Sequence, residues 1–243
     1  MDRIRSLTSR YLQATLTTLL SLATPFVQAD EIDPLYAKFL EANLSQDHVA
    51  CSYMTTHSSK ESGERVEKFS PETLWQLVTV DGLQPTKREL ADYAEDADER
   101  SRRRNYPTDL EFLKMVVADT VRVVQENDET IEFVFLPEMG DEIPDRMEEK
   151  MTGILIVTKD GFRPLRFSIS LTEPASPIRG VKMRKLEQET TFTSDRATGV
   201  SLTKSMSFEA AGRAFFVTKI DQNEHIEFSD FDCKVVAAQT AGP

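Results

Sequence analysis

The sequence predicts a mainly β (α+β) protein in which a single curved antiparallel sheet forms an incomplete barrel. Most of the chain after Asp119 alternates apolar and polar residues with a period of two, which is typical of strands with one buried face. Turn residues such as Asp160-Gly161 separate these strands, so successive strands are expected to pair as hairpins. The few segments with helical spacing predict two or three helices, which would cover the concave face of the sheet.

Residues 1–29 are predicted to be a cleavable signal peptide. Arginines give this segment a basic start, a mildly apolar stretch follows, and Val27-Gln28-Ala29 offers a cleavage site before Asp30. The apolar stretch is too short and too polar for a membrane span, which needs about 20 apolar residues. We therefore expect an exported, periplasmic protein whose mature part, 30–243, is a single domain with the incomplete-barrel fold.

The chain is acidic, with 41 Asp and Glu against 29 Lys and Arg and a net charge of -12. Loss of the basic signal segment would make the mature protein more acidic still. A protein of this charge is repelled by phosphate backbones and by anionic lipid headgroups, so neither nucleic-acid binding nor stable membrane insertion is expected. The run Arg102-Arg103-Arg104 follows an acidic stretch and is interpreted as the solvated end of a helix, with a docking patch as the alternative.

The mature region is predicted to open with a short helix and a meander of strands. Asp33-Pro34 places a capping residue before a proline at the first helical position, and Leu35 and Phe39 follow at helical spacing. Serine, glycine, proline and aspartate then separate three predicted strands. These strands cover residues 49–56, 64–69 and 74–80.

A second helix is predicted from Thr86 to Arg104. Thr86 lies three residues before Glu89, which is the spacing of a capping box. The apolar stripe of this helix is narrow, so it should lie over the sheet rather than cross a core. We expect it to be a lid of low local stability over the mouth of the sheet. Another helical turn is predicted at 108–116.

The later strands show the clearest alternation. Phe167 and Ile169 alternate with serines, and residues 200–208 alternate in the same way. Ala211-Gly212 and Asp221-Gln222-Asn223 are interpreted as turns between the last strands. About ten strands with one apolar face are therefore expected to form one curled sheet, and a two-sheet sandwich is the alternative.

Three segments carry a resemblance to a known family. They are Trp75-x-Leu77, then Asp81-Gly82-x-x-Pro85-Thr86-x-x-Glu89, and the closing segment Phe228-Ser229-Asp230-Phe231. With the export signal and the opening helix, their order over residues 33–232 resembles the periplasmic lipoprotein carriers of the LolA/LolB type and their relatives. The resemblance implies a half-barrel whose concave apolar face holds acyl chains under a helical lid. The carriers' own functional residues are not matched, and the two cysteines lie outside the carriers' pattern.

A carrier of this kind would keep its ligand on the apolar strand faces. The residues expected to converge there are Phe133, Phe135, Phe167, Ile169, Leu202 and Met206. The second half of the chain offers more apolar strand surface than two or three polar helices could cover, which favours a cavity or a partner surface. The same side chains would form an ordinary core in a sandwich, so a filled core stays open as the alternative.

No motif for catalysis or for a cofactor occurs in the sequence. The three histidines, His48, His57 and His225, lack the spacing of zinc ligands, so no metal site is expected. No Gly-x-Ser-x-Gly elbow or phosphate-binding loop is present, and the chain has only 9 glycines. Acidic clusters such as Glu95-Asp96-x-Asp98-Glu99 are interpreted as solvated surface. We therefore expect neither catalytic residues nor a cofactor.

Two functions are consistent with these patterns. The first is an exported soluble binding protein, a monomer, that holds a lipid, an acylated protein or another hydrophobic ligand in the half-barrel, with lipid or lipoprotein acyl chains as its partners. The alternative is a regulatory or interaction protein that senses envelope components, has no transport role and binds an envelope protein through an exposed edge. A hydrolase ranks third, since a catalytic triad can be assembled from distant residues.

Cys51 and Cys233 are predicted to form a disulfide, since the chain has two cysteines. Exported proteins mature where thiols oxidise, and an even cysteine count without metal-ligand spacing points to a bridge. Cys51 lies in the first predicted strand and Cys233 just beyond the last, so the bond would tie the two ends of the mature chain together. Two buried free thiols are the alternative.

Overall fold

The computed structural model describes residues 32–44, 49–96, 110–140, 145–215 and 218–235. These residues belong to one compact unit built on a single ten-stranded antiparallel sheet. The strands are β1 (Val49–Ser59), β2 (Gly63–Ser70), β3 (Leu74–Val80), β4 (Arg122–Glu126), β5 (Thr130–Phe135), β6 (Met151–Thr158), β7 (Pro164–Leu171), β8 (Val181–Ser194), β9 (Ser201–Ala214) and β10 (Thr218–Val235). The predicted fold class is confirmed, because the protein is mainly β and its single sheet is not closed into a barrel. The predicted signal peptide at 1–29, His48 and the arginine run 102–104 lie outside the described residues.

The strands are arranged in the order β3-β2-β1-β10-β9-β8-β7-β6-β5-β4, with β3 and β4 at the two edges. Every neighbouring pair except one is consecutive in the chain, as expected for a sheet built from hairpins. The exception is the antiparallel pair of β1 and β10, which joins the first hairpins to the last strand. This pair extends from Val49 opposite Val235 to Ser59 opposite Glu224, so the first and last strands lie side by side.

The predicted disulfide between Cys51 and Cys233 is confirmed. The two residues are directly opposite each other in the β1–β10 pair, and their Cα atoms are 4.0 Å apart. The bond therefore fixes the one strand pair that the order of the chain does not bring together.

The part of the chain that the structure describes contains three α-helices beside the sheet: α1 (Pro34–Leu44), α2 (Lys87–Glu95) and the single turn α3 (Asp145–Glu148). α1 begins where the sequence predicts, because the Asp33 carboxylate accepts the backbone N–H of Leu35 at 2.9 Å. α2 begins with the predicted capping box of Thr86 and Glu89. The helix ends at Glu95, and the predicted continuation from residue 97 onward lies outside the described residues.

The helical turn predicted at 108–116 is a 3₁₀ helix at Glu111–Met115, followed by a second short 3₁₀ helix at Ala118–Thr120. The longer of the two places Phe112 against Phe167 of β7, with ring centroids 4.8 Å apart. A tight segment of this kind can insert a large side chain into the sheet face without the length of an α-helix.

Two of the predicted turns are wrong. Ala211-Gly212 lies inside β9, and Asp221-Gln222-Asn223 lies inside β10. Gly212 instead allows β9 and β8 to approach each other closely, because a Cβ atom there would lie 2.5 Å from the carbonyl oxygen of Lys182 on β8. The polar segment of β10 is exposed, and exposed strand positions tolerate the same residue types that turns prefer.

One register row crosses all ten strands and shows how the inner face of the sheet changes from edge to edge. The row consists of Val123, Phe133, Leu155, Phe167, Thr190, Met206, Ile226, His57, Arg65 and Val80, each paired with the next. Directly opposite residues of antiparallel strands share a face, so these side chains project from the same side. The row is apolar over β4–β7 and polar over β1 and β2.

Within the described ranges, two apolar clusters account for the buried apolar side chains. The core cluster is centred on β5–β7, with α1 and the 3₁₀ helix packed on it, and its largest fully buried members are Tyr36, Phe39, Ile131, Phe133, Leu155, Phe167 and Ile169. The disulfide cluster surrounds the cystine bond and consists of Cys51, Tyr53, Phe69, Val200, Leu202, Phe228 and Cys233. The sheet is therefore stabilised from two separate centres, one of which contains the covalent bond.

Candidate functional site

Four of the six residues predicted to hold a ligand lie in the core cluster. Their side chains are no more than 2% exposed: Phe133, Phe135, Phe167 and Ile169. Tyr36 of α1 packs edge-on against Phe133 with ring centroids 5.8 Å apart, and Phe112 covers Phe167. This half of the inner face is filled by the protein's own aromatic side chains.

Leu202 and Met206, the other two predicted ligand residues, belong with the disulfide cluster. Leu202 is buried there and Met206 is half-buried at its margin. The six residues are therefore divided between two clusters, and a ligand could reach the larger group only by displacing Tyr36 and Phe112.

A cleft of about 620 Å³ lies on the inner face of β1, β2, β3 and β10. The strands contribute Thr55, His57, Arg65, Trp75, Leu77 and Phe228 to its lining, among others. α2 contributes Glu89, Asp92 and Tyr93, and its C-cap residue Asp96 lines the cleft as well. None of the six predicted ligand residues lines it. The cleft thus lies over the polar end of the register row, away from the core cluster.

An aromatic wall bounds the cleft on the side of the disulfide. The ring of Trp75 lies edge-on to that of Tyr53, with centroids 5.6 Å apart, and 5.2 Å from that of Phe69. Tyr53 and Phe69 are paired across β1 and β2 and are buried. These two rings therefore hold the indole in place, and the rest of its surface lines the cleft.

The closing aromatic segment of the sequence completes this wall through a bulge. Phe228 and Phe231 both lie close to Tyr53, with ring centroids 5.9 and 6.4 Å away. Residues three apart on a regular strand project from opposite faces. The β1–β10 register shifts at this point and Asp230 has a φ of 53°, so the strand turns both phenylalanines towards the same ring.

A buried carboxylate lies beside the cleft. The side chain of Glu67 is 1% exposed, and its Oε2 atom lies 3.3 Å from Nε2 of His57. Its Oε1 atom lies 3.2 Å from Nε of Arg65, an ion pair that lacks hydrogen-bond alignment. Removing an unpaired carboxylate from water costs several kcal/mol. The positions of His57 and Arg65 therefore make the burial of Glu67 tolerable.

Two more polar atoms at the cleft are buried and have no hydrogen-bond partner in the described part of the chain. They are Oγ1 of Thr55 and the indole Nε1 of Trp75. A buried donor or acceptor left unpaired costs roughly 1–3 kcal/mol, so native structures rarely keep one unless another molecule pairs with it. Both atoms belong to residues that line the cleft, so a ligand that displaces the side chains enclosing them would meet an N–H donor and a hydroxyl group.

α2 covers the cleft from the side opposite the strands. The backbone N–H of Thr86 donates to the Glu89 carboxylate at 2.7 Å, and the N–H of Glu89 donates to the Thr86 hydroxyl. The Thr86 hydroxyl also donates to the Glu89 carboxylate at 2.8 Å, and the hydrogen bonds donated by the backbone and the side chain of Thr86 hold the pKa of Glu89 below its ordinary value. No residue of α2 is buried, so little apolar surface holds the helix in place.

The cleft has an acidic rim above a floor rich in hydrogen-bond donors. Glu89 and Asp92 of α2 and its C-cap residue Asp96 line one side, and Glu224 of β10 lies among the lining residues of the strands. The cationic side chain of Arg65 lies beside Glu67 on the strands. The four carboxylates that line the cleft outnumber the one guanidinium group, which disfavours a free anion.

His57, Arg65 and Glu67 were not expected from the sequence to form a site. A usable signal was present, because Thr55 and His57, and likewise Arg65 and Glu67, are two residues apart on strands whose alternation otherwise places aromatic side chains on that face. Polar residues in an apolar register indicate a buried polar site. Trp75 did appear in the sequence analysis, as part of the resemblance.

Within the described residues, no group of three or more His, Cys, Asp or Glu side chains is arranged to hold a metal ion. Of the helices described, none is long and apolar enough to span a membrane. Comparisons with known protein families, with curated proteins and with solved structures find no match for this chain. The cleft and the fold are therefore the basis for the function proposed below.

Proposed function

We propose that this chain is an exported binding protein that holds one acylated, amphiphilic ligand in the cleft between α2 and strands β1–β3 and β10. The observation that carries the proposal is the combination of an aromatic wall with buried, unpartnered polar atoms in one cleft. The resemblance to the LolA/LolB-type carriers supports the same class of ligand, an acyl chain on a lipid or on a lipoprotein.

The size and apolar lining of the cleft suit a single hydrocarbon chain. Its volume of about 620 Å³ falls inside the range of about 300–1,000 Å³ common for small-molecule sites. Leu77, Ile226 and the rings of Trp75 and Phe228 provide its apolar surface. Each CH₂ group removed from water there would contribute about 0.8 kcal/mol to binding.

The polar atoms of the cleft favour a particular linkage at the head of that chain. The indole N–H of Trp75 can only donate, and the Thr55 hydroxyl can donate as well, so both would pair with carbonyl oxygens. An ester or amide carbonyl supplies such acceptors without a negative charge. The acidic rim would disfavour a free fatty carboxylate. We therefore expect an acyl ester or amide rather than a fatty acid.

The cleft is a better candidate than the six residues named from the sequence. A ligand on Phe133 or Phe167 would have to displace Tyr36 or Phe112 from close ring contacts. Entry into the cleft requires only movement of α2, which has no buried residue. In this proposal the core cluster stabilises the sheet, and the exposed half of the same face binds the ligand.

The proposal places the mature protein outside the cytoplasm, in the periplasm. Its support is the basic and apolar pattern of residues 1–29 together with the Cys51–Cys233 disulfide. Structural disulfides form and persist in oxidising compartments and are uncommon in the cytosol. A carrier of acylated molecules also has its substrates at the envelope membranes.

The fluorescence of Trp75 provides a direct test, because the chain has one tryptophan and it lines the cleft. Titration with 1-monooleoylglycerol should give a saturable change, and oleate of the same chain length should bind more weakly. Leu77→Arg should lower the affinity by roughly tenfold or more, since it replaces apolar lining with a charge. Val78→Arg is the matched control, because Val78 is the adjacent residue, is 37% exposed and does not line the cleft.

A second measurement concerns the ligand that the protein acquires in cells. Mass spectrometry of protein purified from membranes should detect a copurified acylated molecule in the wild type and less of it in Leu77→Arg. No saturable fluorescence change with either probe, or equal responses from Leu77→Arg and Val78→Arg, would contradict the proposed site. Lipid-free protein from membranes would instead favour the regulatory alternative.

A further inference from the structure

The basic residues of this acidic chain are segregated at one end of the sheet. Between Glu173 and Glu187, and again between Glu209 and Asp221, the sequence contains no acidic residue. The same two intervals contain the basic residues Arg179, Lys182, Arg184, Lys185, Arg213 and Lys219. The net charge of the chain is -12. These two intervals are therefore positively charged segments of a negatively charged protein.

The fold brings these two intervals together. β8 begins, β9 ends and β10 begins at this end, where Val181 and Thr218 both pair with Ala214. The backbone N–H of Phe215 donates to the carbonyl of Gly180 at 2.6 Å, which joins the turn before β8 to the end of β9. We call the exposed residues Ile178, Arg179, Lys182, Arg213, Phe215 and Lys219 the basic tip.

Three of these cations are direct neighbours across three strands. Lys182 is opposite Arg213, and Arg213 is opposite Lys219, in the register of β8, β9 and β10. Like charges directly opposite each other in a sheet destabilise it. Lys219 forms an ion pair with Asp221 at 2.6 Å, whereas none of the ion pairs among the described residues includes Lys182 or Arg213. Repulsion among these cations therefore lowers the stability of the sheet unless an anionic surface compensates their charge.

Two large apolar side chains project from the same tip into solvent. Phe215 is 67% exposed and Ile178 is 57% exposed. The ring of Phe215 lies beside Gly180, where an added Cβ atom would come 2.9 Å from it. The ring is therefore held at the end of the sheet next to the cations, and it is not folded back onto either apolar cluster.

We propose that the basic tip is a docking surface for the headgroup region of an anionic phospholipid bilayer. Cations that attract lipid phosphates, beside exposed apolar side chains that enter the interface, are the combination by which peripheral proteins bind such membranes. The net negative charge of the whole chain disfavours contact through other surfaces, so the protein would approach with this end first. The contact is peripheral and does not require insertion of a spanning segment. It does not depend on what the cleft binds.

Vesicle flotation tests the proposal with the full mature protein. Vesicles of phosphatidylcholine containing phosphatidylglycerol should carry the wild-type protein, and vesicles of phosphatidylcholine alone should not. Lys182→Glu/Arg213→Glu should lower the partition coefficient by roughly 25-fold or more, since each basic residue at such a surface contributes about a fivefold preference. Phe215→Ser should weaken binding while leaving its salt dependence in place.

The other end of β10 offers a matched control. Lys234 and Val235 are exposed there, and Lys234→Glu/Val235→Ser makes the same changes of charge and polarity far from the tip as Lys182→Glu/Phe215→Ser makes at the tip. This control should float with anionic vesicles as the wild type does. Circular dichroism would confirm that each variant is folded. Equal flotation of Lys182→Glu/Phe215→Ser and the control, or equal binding of the wild type to both kinds of vesicle, would overturn the proposal.

Discussion

Removal of the Cys51–Cys233 disulfide should lower the free energy of unfolding by up to about 5 kcal/mol. The two cysteines are 182 residues apart in sequence, and in the chain-entropy model a cross-link over such a loop restricts the unfolded ensemble by this amount. The figure is an upper bound, because real unfolded chains keep some structure. Since small domains commonly have about 5–15 kcal/mol of stability, the loss would be a large share of the total.

Urea unfolding followed by circular dichroism measures this effect. Cys51→Ala/Cys233→Ala should unfold at a lower urea concentration and with a larger m-value than the wild type, because an unfolded chain without the cross-link exposes more surface. The backbone pairing of β1 with β10 does not require the bond, so the variant should retain the native spectrum. Lys234→Ala, in the adjacent register pair, is the control. A loss below about 1 kcal/mol with an unchanged m-value would refute the reasoning that the bond acts on the unfolded chain.

Two further predictions concern the core and the lid. Gly153→Ala should lower the unfolding free energy by about 1–3 kcal/mol, because a Cβ atom there would overlap the buried ring of Phe135; an unchanged urea midpoint would show that the ring moves aside easily. The lowered pKa of Glu89 means that its cap stabilises α2 fully above the unfolded pKa near 4.5 and less as the pH falls through the lowered value. Hydrogen-exchange protection of α2 should therefore decrease in acid, and Glu89→Gln, which removes the titrating carboxyl group, should abolish that dependence; the same dependence in both proteins would contradict it.

The strands of this protein could be predicted well from local alternation. Predicted strands at 49–56, 64–69 and 74–80 correspond to β1, β2 and β3 with only small differences at their ends. Each of these strands is half-buried, so the period of two is visible along its whole length. The helix caps at Asp33 and Thr86 were predictable for a similar reason, because a capping interaction involves residues only two or three positions apart.

Strand order and turn positions depended on information that local patterns do not contain. The pairing of β1 with β10 could be inferred only through the two cysteines. The sequence of neither strand otherwise indicates which strand it pairs with. Gly212 was taken for a turn because glycine serves both turns and close strand contacts, and only the carbonyl of Lys182 distinguishes the two. The turn that follows β9 at Phe215 was not predicted, because the residues there are apolar.

The position of the cleft was not predictable because periodicity identifies the inner face of each strand but not what covers it. Phe133 and Ile226 belong to the same register row, yet the first is covered by Tyr36 of α1 and the second lines the cleft. What distinguishes them is the helix that happens to pack there. α1 brings buried aromatic side chains to the sheet, whereas no residue of α2 is buried.

The same contrast explains why binding should be located where β1 meets β10. An open sheet that buried its whole inner face under large side chains would be stable but would have no room for a ligand. Here the change from apolar residues to His57 and Arg65 along the register row prevents a dry core from extending across β1 and β2, because each buried charge would then need a partner. Glu67 supplies that partner at the floor, and the disulfide supplies stability that this polar half lacks. A cross-link next to the weakly packed end therefore allows the protein to keep an accessible cleft without losing the order of its strands.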